Sequence, residues 1–378
     1  MRIAFYAPLK PPTHNVPSGD RLMARQLLRA LDIAGHKPFL ASEFRSYEGK
    51  GDRARQRALR GAAEKEVDRL LLGYRGDAPK AWLTYHLYYK APDWLGPPIC
   101  EALDIPYLVA EPSFAPKRAN GVWHFGHSAT ADALARADIA LCFTRFDMEF
   151  VAPQLRAPEQ RLMYLPPFVD SEPTTGPSRT EARASLAARH GLEETAIWLT
   201  VVAMMRPGDK LASYRQLGEA LHLLKDRNMR LLIAGDGPER PQVESALAPL
   251  GDRVCYVGEL GIESRAELLA AADLYIWPAV GEAYGMALLE AQAAGVPVVA
   301  GRVRGVVDVV EDQHTGLLAN ADDPAALAAR VIELIDDPVR RQRMSETARA
   351  FVNRQRNIAS AATTLRNAID RAFALRSQ

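Results

Sequence analysis

The sequence predicts an α/β protein made of two doubly wound parallel-sheet domains, and three observations carry that prediction. Its 378 residues exceed what one hydrophobic core comfortably serves, so two domains of similar size are expected. Short apolar, β-branched or aromatic runs alternate with longer helical patterns, the rhythm of βα units feeding a parallel sheet. That rhythm breaks in the stretch PPFVDSEPTTGPSR at 166–179, where Pro, Thr, Ser and Gly sustain neither period and a linker is expected. The expected domains are 1–170 and 171–354, with the last helical stretch, 355–378, crossing back onto the first.

In the first domain the strand candidates are 2–7, 37–41, 81–87, 107–111, 139–143 and 162–165. A helix after Ser18-Gly19-Asp20 sets Leu22, Leu27, Leu28 and Leu31 on one stripe, with Arg21, Arg25 and Arg29 off it. In the second domain the candidates are 197–203, 230–234, 254–257, 274–277, 296–300 and 317–318. The aromatic residues Trp82, Tyr85, Tyr88, Tyr89, Trp94 and Trp123 are dense for a chain with 7% aromatics; core packing explains most of them, and flat rings also suit sugar faces.

Charge narrows the function classes. A net charge of +1 argues against nucleic acid as the main partner. Residues 1–60 nevertheless hold twelve Lys/Arg against five Asp/Glu. This basic edge is either a solvated face or a contact for an anionic membrane surface or acidic acceptor. Cys100, Cys142 and Cys255 show no Cys-x-x-Cys spacing and look like core residues of a reducing compartment. The opening MRIAFYAPLK reads as a first strand and not a signal peptide, and no apolar run reaches membrane-span length. The expected location is the cytoplasm, with peripheral contact at the inner face of the membrane left open.

The most informative segment is GEAYGMALLEAQAAGVPVVA, 281–300. Glu282 falls in a loop and Glu290 about two turns into the following helix, so both can face one crevice at different depths. Between them Tyr284, Gly285 and Met286 form a helix N-terminus whose unpaired N–H groups suit a phosphate or a sugar hydroxyl. Glu290 can accept from two ribose hydroxyls at once. The bland alternative is a surface helix with a solvated Glu. In VVAMMRPGDK, Arg206 and Lys210 emerge at the carboxyl edge of a strand, where ligands bind in open α/β sheets. Two cations there would neutralise a departing diphosphate, or would be plain surface charges. In LLIAGDGPER, Gly235 and Gly237 permit a tight turn and Pro238 suits a first helical turn. No Asp-x-Asp occurs, and His124 and His127 lack a third ligand nearby in sequence, so no metal is expected.

Taken together, Arg206 with Lys210, the GDGPER turn, Val257-Gly258-Glu259-Leu260, the Glu282/Glu290 segment and Thr315-Gly316-Leu317-Leu318 resemble the retaining glycosyltransferases of family four, which have the GT-B fold. The resemblance implies two Rossmann-like domains facing each other across a cleft, the first for the acceptor and the second for the donor. It implies a nucleotide-diphosphate sugar as donor, a hydroxyl acceptor such as a glycan or glycolipid, and no cofactor. Among the residues, it implies that Glu282 contacts the transferred sugar, Glu290 holds the ribose, and Arg206 and Lys210 stabilise the pyrophosphate. The backbone at Val257 and Gly258 faces the base, Gly235 belongs to the donor-binding turn, and Gly19 admits the donor phosphate. The implied mechanism is front-side, the departing phosphate helping to deprotonate the acceptor. Where the family often carries a histidine after the fourth strand this sequence has Glu111 or Ser113, with His86 after the third strand a further candidate for the reaction centre. The usual Arg-to-Lys spacing is one residue longer. A sugar-nucleotide epimerase and a catalytically inactive nucleotide-sugar-binding subunit are the competing readings.

Overall fold

A computed structural model describes residues 1–16, 18–170 and 177–377. Part of the expected linker, 171–176, lies outside the described residues. The chain divides into two compact units, Met1–Pro166 with Ile358–Gln378, and Pro167–Asn357.

The first unit is a parallel sheet of β1 (Arg2–Tyr6), β2 (Lys37–Ser42), β3 (Ala81–Tyr85), β4 (Tyr107–Ala110), β5 (Ile139–Cys142) and β6 (Leu162–Tyr164). Their order is β2-β1-β3-β4-β5-β6. Helices cover both faces, so β3, β4 and β5 are buried along their whole length and read as continuous apolar runs. Thr84, the one polar residue of β3, is satisfied inside the core: it accepts from Trp82 Nε1 at 2.8 Å and donates to Asp93, which also accepts from the Tyr107 hydroxyl at 2.8 Å.

Ser18 caps the helix Gly19–Ile33 by accepting from the Arg21 amide. That helix buries Met23, Ala24, Gln26, Leu27, Ala30 and Leu31. The expected stripe is therefore rotated: Leu22 and Leu28 are only half-buried, and the small Ala24 and Ala30 face inward instead. The C-terminal helix Ile358–Arg376 packs against this helix, and Arg366 donates to the Ala34 carbonyl at 3.0 Å. Arg376, at its far end, pairs with Asp138 at 3.2 Å and with Asp104.

The second unit is a parallel sheet of β7 (Ile197–Val202), β8 (Met229–Ala234), β9 (Val254–Gly258), β10 (Leu274–Trp277), β11 (Val298–Gly301) and β12 (Gly316–Ala319), in the order β12-β11-β10-β7-β8-β9. Each sheet has one place where the chain reverses its direction of winding. In the first it lies between β1 and β3, in the second between β7 and β10. Connections leave such a pair toward opposite faces and open a crevice at the carboxyl ends of the strands, where open α/β sheets bind ligands.

Two strands stop earlier than their apolar runs suggest. β3 ends at Tyr85 and β4 at Ala110 because His86 and Glu111 adopt φ of 61° and 54°. Side chains larger than glycine rarely hold that conformation, and strain of this kind concentrates at functional sites.

Candidate functional site

In the second unit the chain leaves β7 and runs to Arg206, then turns through Gly208 (φ 81°) into the helix Asp209–His222. The Gly-Asp-Gly-Pro turn after β8 braces this exit. The Met205 amide donates to the Asp236 carbonyl at 2.9 Å, and the Glu239 amide donates to the Met205 carbonyl at 3.0 Å. Gly235 (φ 141°) sits so close to the Ala203 carbonyl that a Cβ would collide with it. Its amide donates to the Gly258 carbonyl at 2.8 Å, joining the ends of β8 and β9. Pro238 lies in the turn and not in the helix; the helix is Arg240–Leu247, with Pro241 in its first turn.

The loop after β10 is fastened to the helix that follows β7 at three consecutive positions. The Val280 amide donates to Ser213 Oγ at 3.0 Å, and Gly281 (φ 61°) packs against the Asp209 carboxylate, where a Cβ would collide. Glu282 Oε2 then lies 2.6 Å from Lys210 Nζ and accepts from Trp277 Nε1 at 3.3 Å. The ammonium also stands 5.3 Å from the centre of the Trp277 ring, a cation–π distance. Residues 72 apart in sequence meet because β7 and β10 are neighbours at the reversal. Both side-chain contacts of Glu282 use one oxygen; the other has no protein partner among the described residues. Arg206 is exposed, and its guanidinium makes no hydrogen bond or ion pair among the described residues.

Gly285 (φ 79°) precedes the helix Met286–Ala293. Tyr284 and Gly285 are buried at its N-terminus, and Met286 is half-buried. Because the helix starts at Met286, Glu290 stands one turn into it, not two. Its Oε2 is 3.4 Å from Arg265 Nε, on the helix Ile262–Ala271 after β9. Burial raises the Glu290 carboxyl above the usual range, and the Arg265 charge opposes that shift. Val257 and Gly258 are half-buried at the end of β9, with Gly258 at φ 78°.

The first unit holds a second cluster at its own reversal. Asp20, second residue of the helix after β1, meets His86 at the end of β3: His86 Nδ1 lies 3.1 Å from Asp20 Oδ1. The same nitrogen lies 3.9 Å from Glu111 Oε1, beyond β4. Burial penalises the imidazolium, but Glu111 and Asp20 outweigh it and raise His86 to about 9. Burial raises Glu111 to about 7, with the His86 charge opposing. Ser113 lies near the pair in sequence but spends its amide on the Leu87 carbonyl at 2.9 Å. Gly19, beside Asp20, has nothing within 4 Å of where a Cβ would stand, so no protein packing demands glycine there.

The dense aromatic set divides. Trp82, Tyr85 and Trp123 are buried, while Tyr88, Tyr89 and Trp94 are half-buried. The Tyr88 ring lies 5.1 Å from His86 and 5.5 Å from Tyr89, which in turn lies 5.2 Å from Trp123, a row of rings leading away from the cluster. The His127 ring packs 4.5 Å from the Phe114 ring, and His124 Nδ1 donates to the Ala119 carbonyl at 2.7 Å, two local structural roles. Among the described residues no group of three or more His, Cys, Asp or Glu could hold a metal, and no helix is long and apolar enough to cross a membrane.

Sequence reasoning singled out neither Arg265, Trp277 nor Asp20. Trp277 could have been found, as the aromatic last residue of a strand beside the Glu282 loop. The other two lie in helices whose sequence carries no motif.

Residues 197–337 match the family described as Glycosyl transferases group 1. The Alpha-D-kanosaminyltransferase of Streptomyces kanamyceticus is 34% identical over 172 residues, which cover 45% of this chain and 44% of that protein. The chain thus spans less than half the length of that relative. Among solved structures, sucrose-phosphate synthase from Thermosynechococcus elongatus superposes with a TM-score of 0.77 at 20% identity, covering 99% of each chain. Anabaena HepE, solved in complex with UDP, superposes with a TM-score of 0.72 at 16% identity over 100% of each chain. At those identities the likeness establishes the fold, GT-B, with its two six-stranded parallel sheets. Over residues 197–337, and on that fold, the chain is similar to the glycosyl transferases group 1 family.

Proposed function

We propose that the protein transfers a sugar from a nucleotide-diphosphate donor to an acceptor hydroxyl, without a metal and with retention of anomeric configuration. The observation that carries this reading is the convergence of Lys210, Glu282 and Trp277 at the reversal of the second sheet. One cation and one half-committed carboxylate there match the two ends of an activated sugar. Lys210 and the unpaired Arg206 take the charge that develops on the leaving diphosphate. Glu282 offers its second oxygen to hydroxyls of the transferred sugar, and the N-terminus of the helix Met286–Ala293 presents its amides beside it. Glu290, one turn on, holds the ribose diol, and the backbone of Val257 and Gly258 faces the base. The Anabaena neighbour solved with UDP supports a nucleoside diphosphate as the departing group.

The acceptor is assigned to the first unit, where Glu111 assists the departing phosphate in taking the proton of the attacking hydroxyl. Arg53, Arg55, Arg57 and Arg60 stand exposed along the helix Arg53–Gly73, which suits an acceptor such as a glycolipid at an anionic membrane surface. The free thiols Cys100, Cys142 and Cys255 suit a cytoplasmic location.

A panel of nucleotide sugars, assayed for nucleoside diphosphate release with and without candidate acceptors, tests the reading. One donor is expected to be hydrolysed slowly alone and at least tenfold faster with its acceptor. Saturable donor binding with no release under any condition would instead identify an inactive subunit. Conversion of the donor to its sugar epimer would identify an epimerase.

A further inference from the structure

Glu290, on the helix Met286–Ala293, meets Arg265, the fourth residue of the helix Ile262–Ala271 that follows β9. In the sheet β9 and β10 are separated by β8 and β7, so the helix between them crosses back and packs on β7. That crossing brings Arg265 to the helix that follows β10, in the same unit as the Lys210–Glu282 contact. Arg265 Nε stands 3.4 Å from Glu290 Oε2, and both side chains are half-buried. Among the described residues neither the guanidinium nor the carboxylate makes a protein hydrogen bond. Two side chains half withdrawn from water, paired by charge alone and each with hydrogen-bonding capacity unused, suit a polar ligand.

We propose that Arg265 is a positioning residue for the donor: its guanidinium fixes Glu290 as an anion whose two oxygens receive the 2′ and 3′ hydroxyls of a ribonucleoside diphosphate. The inference rests on the reading above, in which Glu290 holds the ribose. A diol donates two protons, and only an ionised carboxylate accepts freely at both oxygens; a protonated one turns one oxygen into a donor. Burial favours the protonated form of Glu290, and Arg265 is the charge that opposes it. The other charged and titratable groups around Glu290 are engaged elsewhere. Tyr275 of β10 donates to the Val202 carbonyl at 3.1 Å and stays neutral, its hydroxyl pushed up by burial. Glu282 is bound to Lys210 and to Trp277 Nε1. Arg349, on the helix Pro338–Gln355 that packs against Met286–Ala293, donates to the Ala294 carbonyl at 2.8 Å, and β11 carries no ionisable side chain. Removing Arg265 therefore leaves a carboxyl that protonates more readily and grips one hydroxyl in place of two. Selectivity follows, because a 2′-deoxyribose leaves one Glu290 oxygen without a donor, and a site built to bond a hydroxyl rejects the analogue that lacks it.

Calorimetric titration of the full chain with UDP, GDP and ADP, each beside its 2′-deoxy form, tests the role between pH 6 and pH 9. Arg265→Met keeps the length of the side chain and removes its charge. It is expected to weaken the preferred ribonucleotide about tenfold or more at pH 6, a factor of ten being one pH unit of titration, and less than about threefold at pH 9. The ribo-to-deoxy ratio should approach one at pH 6, and Arg265→Lys should restore most of the affinity there. In a Glu290→Gln background the same Arg265→Met change should cost less than about twofold, since the partner it acts through no longer ionises. Equal losses at every pH, or in both backgrounds, would mean that Arg265 touches the nucleotide itself or only supports the fold, and would overturn the positioning role. Carboxyl-carbon NMR of glutamate-labelled protein, with Glu290 assigned by loss of its signal in Glu290→Gln, reads the pair without any ligand. The Glu290 midpoint should rise by about one pH unit or more in Arg265→Met, and an unmoved midpoint overturns the proposal. If the midpoint rises but none of the three nucleotides binds wild-type protein, the donor reading fails and the nucleotide role of Arg265 fails with it, while the Arg265–Glu290 pair stands.

Discussion

Lys210→Ala is expected to lower kcat for sugar transfer by about 100- to 1000-fold, the usual cost of removing one preorganised group from a developing anion. The geometry makes this more than the loss of a surface charge. Lys210 is the second residue of the helix Asp209–His222, and its ammonium is held between Glu282 Oε2 at 2.6 Å and the Trp277 ring. It therefore needs no reorganisation when the diphosphate begins to leave. Deleting it also leaves Glu282 with only the 3.3 Å indole bond to hold it, so the sugar end of the donor loses alignment together with the phosphate end. Steady-state kinetics should show kcat and kcat/KM falling together, because the lost interaction is strongest in the transition state. Lys210→Arg should recover part of the rate. A rise in KM with kcat untouched would place Lys210 in ground-state binding alone.

Glu111→Gln is expected to cost about 100-fold or more in kcat, the common contribution of a positioned base, and to abolish the pH dependence of transfer below neutrality. Wild-type activity should rise between pH 6 and 8 as a carboxyl raised to about 7 ionises, whereas the amide variant should give a low, flat profile. Stability must move the other way. The folded-state value lies above the ordinary carboxyl range, so the folded protein holds this proton more tightly than the unfolded chain. The associated stability is fully present below about pH 4.5 and is lost as pH rises through 7. Thermal unfolding of Glu111→Gln against wild type should therefore show the variant gaining relative stability from pH 5 to pH 8. Equal pH profiles for transfer in the two proteins would remove Glu111 from the proton's path.

The alternation of apolar runs with helical periods was enough to read all twelve strands, because strands buried on both faces must be continuously apolar. It overran at His86 and Glu111 for a physical reason: a left-handed φ is a backbone property that neither hydrophobicity nor β propensity encodes. The first helix was misread in rotation because Ala24 and Ala30 are buried while Leu22 and Leu28 are half-buried, a tertiary outcome that a stripe of large apolar residues does not mark. Within the site, Glu282 and Lys210 were legible as motif residues, and their meeting follows from the sheet order. The partners Arg265 and Asp20 were not legible, since Glu290–Arg265 and His86–Asp20 are long-range pairs with no local spacing to mark them. Pro238, two residues before its helix, and Glu290, one turn into its own, were misplaced through the same weakness, helix starts that depend on loop geometry.

The second unit is expected to grip a nucleotide-diphosphate sugar, with Glu290 on the ribose. Thermal unfolding across a nucleoside diphosphate series reads this directly, since a ligand at 100 times its dissociation constant adds about 2.7 kcal/mol. Wild-type protein should show a saturable rise in Tm with one nucleoside diphosphate, and Glu290→Ala should show little or none at the same concentration. A rise of equal size in wild type and Glu290→Ala, or no rise with any nucleoside diphosphate or its sugar, would contradict the account.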